Sequence, residues 1–332
     1  MTGCGLERRG RRRRLAAALL AGAALLSSCS SGDSGAAVAG RSGSTTAAPA
    51  PSTPQAPTTT VVNPGPGAVV SPTGVVVPVL ERQPAGWRVR TPCGRTATLA
   101  AGTPVPGVAV VLDPGHGGNE VGAQSPGGTL SEAPLNLEVA RHAKTALEAA
   151  GVSVLLTRTE AYEVALATRA ELARSLWPRA FVSIHHNAEP DGPTPGPGAE
   201  TYYQIGSADS KRLAGLIQEE VVRAMSAYRV AWVGDRDAGA KYRPGARGDY
   251  YAMLRLPGPV TSALAELAFI SNPPEAQLLA RPDVQQVEGR AVAAGILRYL
   301  NTTDPGSGFV EPYPRSDPPG GGPSRPCVDP PL

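Results

Sequence analysis

Short apolar segments alternate with amphipathic segments between residues 108 and 300, and this order restricts the fold more than any other feature. Apolar runs of strand length occupy residues 108–113, 152–157, 181–185, 199–205 and 260–266. Helical periodicity is found between and after them, at residues 133–150, 165–176, 208–227 and 284–300. The alternation predicts an α/β fold, a single three-layer domain in which helices flank a twisted, mainly parallel sheet.

The segments outside this region differ in composition and set the predicted domain boundaries. Residues 29–78 are rich in Ser, Thr, Ala and Pro and have almost no charge, so we expect a disordered tether. Residues 79–107 alternate weakly around turn residues, which predicts a short β-hairpin. The α/β domain then covers residues 108–301, and residues 302–332 form a Pro/Gly-rich, irregular tail.

The first 28 residues contain a large share of the positive charge. Removing their six arginines and one glutamate from the totals of 31 basic and 28 acidic residues leaves 25 and 27. The remainder is nearly neutral, so a basic surface for nucleic acid is not supported. A basic start followed by the apolar run at residues 15–26 is typical of a secretory signal peptide, and that run is too short to span a bilayer.

The cysteines fit an exported protein. The segment Leu26-Ser27-Ser28-Cys29 resembles a bacterial lipoprotein cleavage site, which predicts a lipid on Cys29; an ordinary signal peptide cut nearby is the alternative. We therefore expect a monomer in the cell envelope, with membrane contact only through this lipid. Cys93 and Cys327 remain as an even pair in an oxidising compartment, which predicts a disulfide, with two free thiols as the alternative.

Four polar residues lie at the ends of predicted elements: His116 in VVLDPGHGG, Glu132 in GTLSEAPLN, His185 in FVSIHHNA and Glu266 in ALAELAFISN. Ligands of open α/β sheets collect at the carboxyl ends of strands, where three of these residues are predicted to lie. Two imidazoles and a carboxylate are a ligand set for catalytic zinc with one position left open. A further carboxylate can take a proton from metal-bound water. The pattern indicates a zinc hydrolase.

Simpler interpretations exist for each of these residues. The glycines of DPGHGG also suit a plain tight turn, since they allow positive φ. A nucleotide-binding loop is not supported, because no Gly-Lys-Ser/Thr follows. His185 and His186 face opposite ways on a strand, so at most one of them is a ligand. Glu266 is harder to explain structurally, because an unpaired buried carboxylate is costly.

With these motifs the sequence resembles the zinc-dependent N-acetylmuramoyl-L-alanine amidases of the bacterial cell wall, the type-3 amidase domain family. The resemblance covers residues 108–300 and rests on VVLDPGHGGNEVGA, FVSIHHNA and AELAFISN. LLTRTE, ATRAELA and GAETYY also occur at the expected places and in the expected order. The family's twisted, mainly parallel sheet with flanking helices agrees with the predicted fold.

The resemblance implies a role for each of the four residues. His116, Glu132 and His185 would be the ligands of one zinc ion per chain, and the histidine directly after Ser-Ile is preferred over His186. Glu266 would be the catalytic carboxylate. The chain departs from the family pattern at positions that are not ligands: Glu120, Arg174, Arg179 and Ala268.

The resemblance also implies a reaction, hydrolysis of the amide between N-acetylmuramic acid and L-alanine in peptidoglycan or its fragments. Zinc-bound water would attack the carbonyl, with Glu266 as general base and then acid. Asn187 is a candidate for orienting His185 or substrate, with a turn residue as the alternative. The rival hypotheses are a zinc peptidase or deacetylase acting elsewhere on peptidoglycan and a binding lipoprotein without turnover.

Overall fold

The computed structural model describes residues 67–188, 193–194, 196–233, 238–312 and 326–332. The predicted signal peptide, Cys29 and most of the predicted tether lie outside the described residues. Within the described ranges, no helix is both long enough and apolar enough to cross a membrane.

The described part of the chain begins with a five-stranded antiparallel sheet. Its strands are β1 (Ala68–Val70), β2 (Val76–Gln83), β3 (Gly86–Arg90), β4 (Thr96–Leu99) and β5 (Thr103–Pro104), in the spatial order β4-β3-β2-β1-β5. The expected hairpin is present as part of this larger sheet. The prediction of a tether as far as residue 78 is wrong from Ala68 onward, because the valines of this stretch are apolar enough to form a core. Val69, Val75 and Val77 pack with Trp87, Val89 and Leu99.

The strands that follow are β6 (Val110–Pro114), β7 (Val154–Leu156), β8 (Ala180–Asn187), β9 (Pro193–Thr194), β10 (Glu200–Tyr203), β11 (Trp232–Val233), β12 (Ala240–Lys241), β13 (Pro244–Gly245), β14 (Gly248–Asp249) and β15 (Ser262–Phe269). Six of them form the central sheet, in the order β12-β10-β15-β8-β6-β7. β7, β6, β8 and β15 are parallel, whereas β10 pairs antiparallel with β15. The sheet is therefore mixed, with a parallel majority.

The helices are α1 (Glu132–Ala149), α2 (Leu166–Leu176), α3 (Ala208–Met225), α4 (Ala252–Arg255), α5 (Pro273–Leu279) and α6 (Pro282–Asn301). Helices α1, α3 and α6 pack on one face of the central sheet, against residues such as Leu112 and Val182. Helices α2 and α4 pack on the other face, against Val111, Phe181 and Leu264. The prediction of a three-layer α/β domain is confirmed. The sequence does not predict α4 and α5, because four and seven residues are too few to show a helical period.

Alternation along β8 and β15 decides which side chains reach each layer. Because successive side chains of a strand point to opposite faces, His185 shares the α2 face with Phe181, and Glu266 shares it with Leu264. His186 follows Val182 onto the α1 face. The two adjacent histidines therefore lie in different layers of the domain.

The C-terminal residues 326–332 contact the N-terminal sheet. Cys327 forms the predicted disulfide with Cys93. The Asp329 carboxylate accepts hydrogen bonds from the backbone N–H of Cys93 at 2.7 Å and from Nη1 of Arg95 at 2.5 Å. Asn119, in the loop after β6, donates to the carbonyl oxygen of Pro326 at 3.0 Å. The end of the chain thus contacts both the first sheet and the loop that carries His116.

Candidate metal centre

The loop after β6 brings His116 against the end of β8. His116 has a φ of 63°, in the left-handed region where a residue other than glycine is uncommon. Gly115 lies directly over the neighbouring imidazole, since a Cβ at this position would lie 2.1 Å from Cε1 of His185. Glycine at position 115 thus allows the backbone of the loop to contact the ring of His185.

A buried arginine on α2 holds this loop in place. Nη1 of Arg169 donates to the carbonyl oxygen of Pro114 and to Oδ1 of Asp113, both at 2.7 Å, and Nη2 donates to the carbonyl oxygen of His116 at 2.7 Å. The pairing with Arg169 opposes the effect of burial and holds the pKa of Asp113 below its usual value. Sequence reasoning missed Arg169, although its spacing from Leu172 and Ala173 places it in the buried stripe of the helix.

A second buried arginine, two residues after the end of β7, contacts the same loop. Arg158 donates from Nε to the carbonyl oxygen of Pro114 at 3.0 Å and from Nη2 to that of Gly115 at 2.9 Å. The same Nη2 donates to the carbonyl oxygen of Ala133 at 2.7 Å, which links the loop to the first turn of α1. Burial lowers the pKa of Arg158 to about 10. Sequence reasoning missed this residue too, since only the motif LLTRTE pointed to it.

The structure brings together the three predicted ligands. Glu132, the first residue of α1, is buried between the two imidazoles. Its Oε2 lies 3.0 Å from Nε2 of His116, and its Oε1 lies 3.0 Å from Nδ1 of His185. One ligand atom from each of the three residues lies within 4.8 Å of the others. This arrangement could hold a metal ion.

The second nitrogen of each ring also has a partner, which the sequence did not identify. Nδ1 of His116 contacts Oε2 of Glu120, and Nε2 of His185 lies 3.2 Å from Oγ of Ser183. Imidazole ligands in metal sites generally use their other nitrogen in this way, and the contact fixes the orientation of the ring. Glu120, one of the departures from the family pattern, is therefore directly linked to the cluster.

The protonation states of the three clustered residues depend on one another. Burial lowers the pKa of His116, but hydrogen bonds to Glu120 and Glu132 outweigh it and raise the pKa to about 10. Burial also lowers the pKa of His185 and favours its neutral form. Burial would raise the pKa of Glu132, yet the contacts with both histidines hold it well below the usual value. Without an ion, a proton on His116 therefore balances the carboxylate of Glu132.

Glu266 lies beside the cluster on β15. It is the Cα partner of His185 in the parallel pairing with β8 and of Glu200 in the antiparallel pairing with β10. Glu200 is buried and pairs with Nζ of Lys241 at 2.7 Å, so its negative charge is balanced. Burial and the nearby Glu266 carboxylate raise the pKa of Tyr251. Glu266 is therefore a largely buried carboxylate with polar neighbours.

Asn187 and His186, in the FVSIHHNA motif, are not among the three clustered residues. Asn187 donates from Nδ2 to Oε2 of Glu200 at 2.8 Å, and its Oδ1 accepts from the backbone N–H of Ala188. These two hydrogen bonds of the Asn187 side chain do not orient His185. His186 is buried on the opposite face, where Nδ1 lies 2.7 Å from Oδ1 of Asn136.

A cavity of about 380 Å³ opens onto the cluster from the α2 side of the sheet. His116 and His185 lie in its wall, and Glu163, Leu166 and Met253 form part of its border. Its volume is in the range of small-molecule binding sites, about 300–1,000 Å³. A substrate could therefore approach the two imidazoles from this side.

A family model described as N-acetylmuramoyl-L-alanine amidase (Amidase_3) matches residues 110–298. The chain belongs to this family. The matched region is more than half of the chain and contains the four predicted site residues, His116, Glu132, His185 and Glu266. The protein is therefore in an enzyme class, the N-acetylmuramoyl-L-alanine amidases.

The chain is similar to two curated proteins and to a solved structure. The uncharacterized protein YqiI of Bacillus subtilis is 33% identical over 221 residues, covering 65% of this chain and 98% of that protein. The N-acetylmuramoyl-L-alanine amidase AmiC of Neisseria meningitidis serogroup B is 30% identical over 58% of this chain, but the match covers only 53% of AmiC. The crystal structure of an N-acetylmuramoyl-L-alanine amidase from Clostridium difficile 630 is 31% identical, with a TM-score of 0.50, covering 59% of this chain and 97% of that chain.

Proposed function

We propose that the protein hydrolyses the amide bond between N-acetylmuramic acid and L-alanine in peptidoglycan or its fragments, with one zinc ion per chain. The main support is the cluster of His116, Glu132 and His185, with Glu266 on the adjacent strand, inside the matched amidase domain. A cavity leads to the two histidines and gives the substrate a route to them.

The three clustered residues fit a zinc ion. Two imidazole nitrogens and one carboxylate oxygen are suitable donors and leave a fourth position open. Gly122 has no side chain to crowd these three residues, whereas a Cβ at this position would lie 2.6 Å from Oε2 of Glu132. His116, Glu132 and His185 would hold the ion. When bound, zinc supplies a Lewis acid that lowers the pKa of water and polarises the amide carbonyl.

Glu266 would carry the proton during the reaction. Its carboxylate would take a proton from the attacking water while the water oxygen bonds to the carbonyl carbon. The carbon–nitrogen bond then breaks, and Glu266 returns the proton to the departing nitrogen. The second proton of the water leaves the new carboxyl group for the amine, so the products are the carboxylate of the muramic acid and the ammonium group of L-alanine, and atoms and charge balance.

The proposed cellular location rests on the predicted signal peptide and on the cysteines. We propose that residues 1–28 direct export, that a lipid on Cys29 anchors the monomer to the outer face of the cytoplasmic membrane, and that the tether separates anchor and enzyme. The Cys93–Cys327 disulfide supports an oxidising compartment. Replacing Cys29 with Ser should release the protein from the membrane fraction, and an unchanged distribution would refute lipid anchoring.

Digestion of a defined muramyl peptide tests the reaction. We expect mass spectrometry to find a free stem peptide and a peptide-free glycan, together with zinc at one equivalent in the purified protein. Fragments cut within the stem peptide would indicate a peptidase, and loss of acetyl groups would indicate a deacetylase. Stoichiometric zinc without turnover of any of these substrates would favour the binding lipoprotein.

A further inference from the structure

A chain of polar side chains crosses the helical layer on the opposite face of the sheet from the cavity. It consists of Glu288 on α6, His186 on β8 and Asn136 on α1, and it ends at Glu132. The three side chains are buried between β8 and the helices α1 and α6, with exposed fractions of 0%, 1% and 0%. No step of the proposed reaction uses them.

The chain of contacts ends on one oxygen of the proposed zinc ligand. Nδ2 of Asn136 donates to Oε1 of Glu132 at 3.2 Å. Oδ1 of Asn136 is an amide oxygen and can only accept, so Nδ1 of His186 donates to it at 2.7 Å. The backbone N–H of His186 also donates to Oε1 of Glu132, at 3.1 Å. Residue 186 therefore controls this oxygen both directly and through Asn136.

The buried carboxylate of Glu288, at the far end of this series of contacts, is unfavourable for the stability of the fold. Nε2 of His186 lies 3.4 Å from Oε1 of Glu288, in a contact that lacks hydrogen-bond geometry. Neither carboxylate oxygen of Glu288 has a hydrogen-bond partner among the residues that the structure describes. Burying a carboxylate under these conditions is unfavourable, and an apolar residue would suit this position of the core better. Stability does not explain Glu288, whereas its position 3.4 Å from Nε2 of His186 allows it to act on that ring electrostatically.

We propose that His186 and Glu288 are positioning residues that hold Asn136, and through it Oε1 of Glu132, in the geometry that binds the metal. The inference rests on the zinc site proposed above. The other oxygen, Oε2, is held separately by the backbone N–H of Ala123 at 2.9 Å. Loss of the side-chain contacts would therefore leave Oε1 with the backbone N–H of His186 but without a fixed donor from Asn136. Groups that orient metal ligands contribute about 10–100-fold to metal affinity or activity.

Two replacements of His186 separate positioning from simple packing. An asparagine amide places its nitrogen near the position of Nδ1, whereas a glutamine amide places it near Nε2. His186→Asn should therefore keep the donor to Asn136, and His186→Gln should lose it. We expect His186→Gln to weaken zinc affinity about 10–100-fold, measured on the metal-free full chain by competition with a chelator. We also expect its kcat to fall with little change in KM, and we expect His186→Asn to restore both values to near those of the wild type.

Glu288→Gln is a second test that keeps the shape of the side chain. It removes the charge beside Nε2 of His186 and should weaken zinc affinity several-fold. Val292→Ala, one turn further along α6 and also buried, is the matched control. It should lower the melting temperature while leaving zinc affinity unchanged, because it removes core volume without touching the chain of contacts.

The outcomes distinguish this inference from the proposed function. If the wild type binds zinc and both His186→Gln and Glu288→Gln bind it equally well, the positioning role is refuted. It is also refuted if His186→Asn performs no better than His186→Gln. If the wild-type chain itself binds no zinc, the proposed metal site fails, and the positioning role fails with it.

Discussion

Glu266 lies directly opposite His185 in the parallel pairing of β15 with β8. Neighbouring strands are about 4.8 Å apart, and paired side chains point to the same face. A shift of one residue in the register would turn Glu266 away from His185 and into the layer of α1 and α6. The proposed base is therefore positioned relative to a proposed ligand by sheet hydrogen bonds, not by a flexible loop.

Replacement of Glu266 should separate catalysis from metal binding. Glu266→Gln keeps the size of the side chain but cannot accept a proton, so we expect hydrolysis of a muramyl peptide to fall by about 10²–10⁴-fold. Zinc content should stay at one equivalent. Glu148→Gln, on the exposed side of α1, is the control and should behave like the wild type. A Glu266→Gln variant with the normal rate would refute the catalytic role.

Loss of a proposed ligand should remove the ion. His116→Ala and Glu132→Ala should each purify with far less than one zinc per chain, because only two of the three protein donors remain. Elemental analysis after dialysis against a weak chelator measures this. His142→Ala, a histidine of α1 that lies outside the cluster, should retain zinc. Stoichiometric zinc in either ligand variant would contradict the assignment.

A single methyl group at residue 115 should disturb the site. In Gly115→Ala the new Cβ would lie 2.1 Å from Cε1 of His185, so the ring or the loop has to move. We expect weaker zinc binding and a large loss of activity in a folded protein. The matched control is Gly107→Ala, since a Cβ at Gly107 has no atom within 4 Å. Equal zinc affinities of the two variants would show that the close approach of Gly115 to His185 is unimportant.

Zinc affinity should rise with pH. The pKa of His116 is raised to about 10 in the ion-free site, so zinc has to displace a proton at neutral pH. We expect affinity to increase up to about tenfold per pH unit between pH 7 and 9, with about one proton released per zinc bound. Calorimetry in buffers of different ionisation enthalpy measures that proton. Binding without proton release at pH 8 would contradict the charge state derived for His116.

The same pKa predicts how the stability of the metal-free protein depends on pH. The folded-state pKa of His116 is above its unfolded value of 6.5, so its stabilising contribution is fully present below pH 6.5. It is lost as the pH rises towards 10. Urea unfolding of the metal-free wild type should therefore lose more stability between pH 6.5 and 9.5 than unfolding of His116→Gln. Equal losses in the two proteins would refute this contribution.

The disulfide should stabilise the fold through the length of the loop that it closes. Cys93 and Cys327 are 234 residues apart, and the chain-entropy model gives about 5 kcal/mol for such a loop. The double variant Cys93→Ser/Cys327→Ser should have a lower urea midpoint than the oxidised wild type. Reductant should lower the wild-type midpoint but leave that of the double variant unchanged. Identical midpoints for the oxidised wild type and the variant would contradict this prediction.

Much of the architecture could be predicted because its signals are local. The apolar run at residues 108–113 and the helical periodicity at residues 133–150 correspond to β6 and α1. The N-terminal sheet was underestimated because β1 has three residues and β5 has two, too few to show alternation. Composition predicted a tether as far as residue 78, and it did not reveal the valines from Ala68 onward as the start of a core.

The sequence by itself determined the types of chemical group, their positions at the ends of elements and the family to which they belong. Only the tertiary structure decided the contacts around them. Arg169 reaches Asp113 across 56 positions, and His186 reaches Asn136 across 50. Such contacts depend on strand register and on the layer in which a helix packs. Periodicity describes neighbours along one element, whereas the proposed site is built by side chains that meet only when the sheet and both helical layers have assembled.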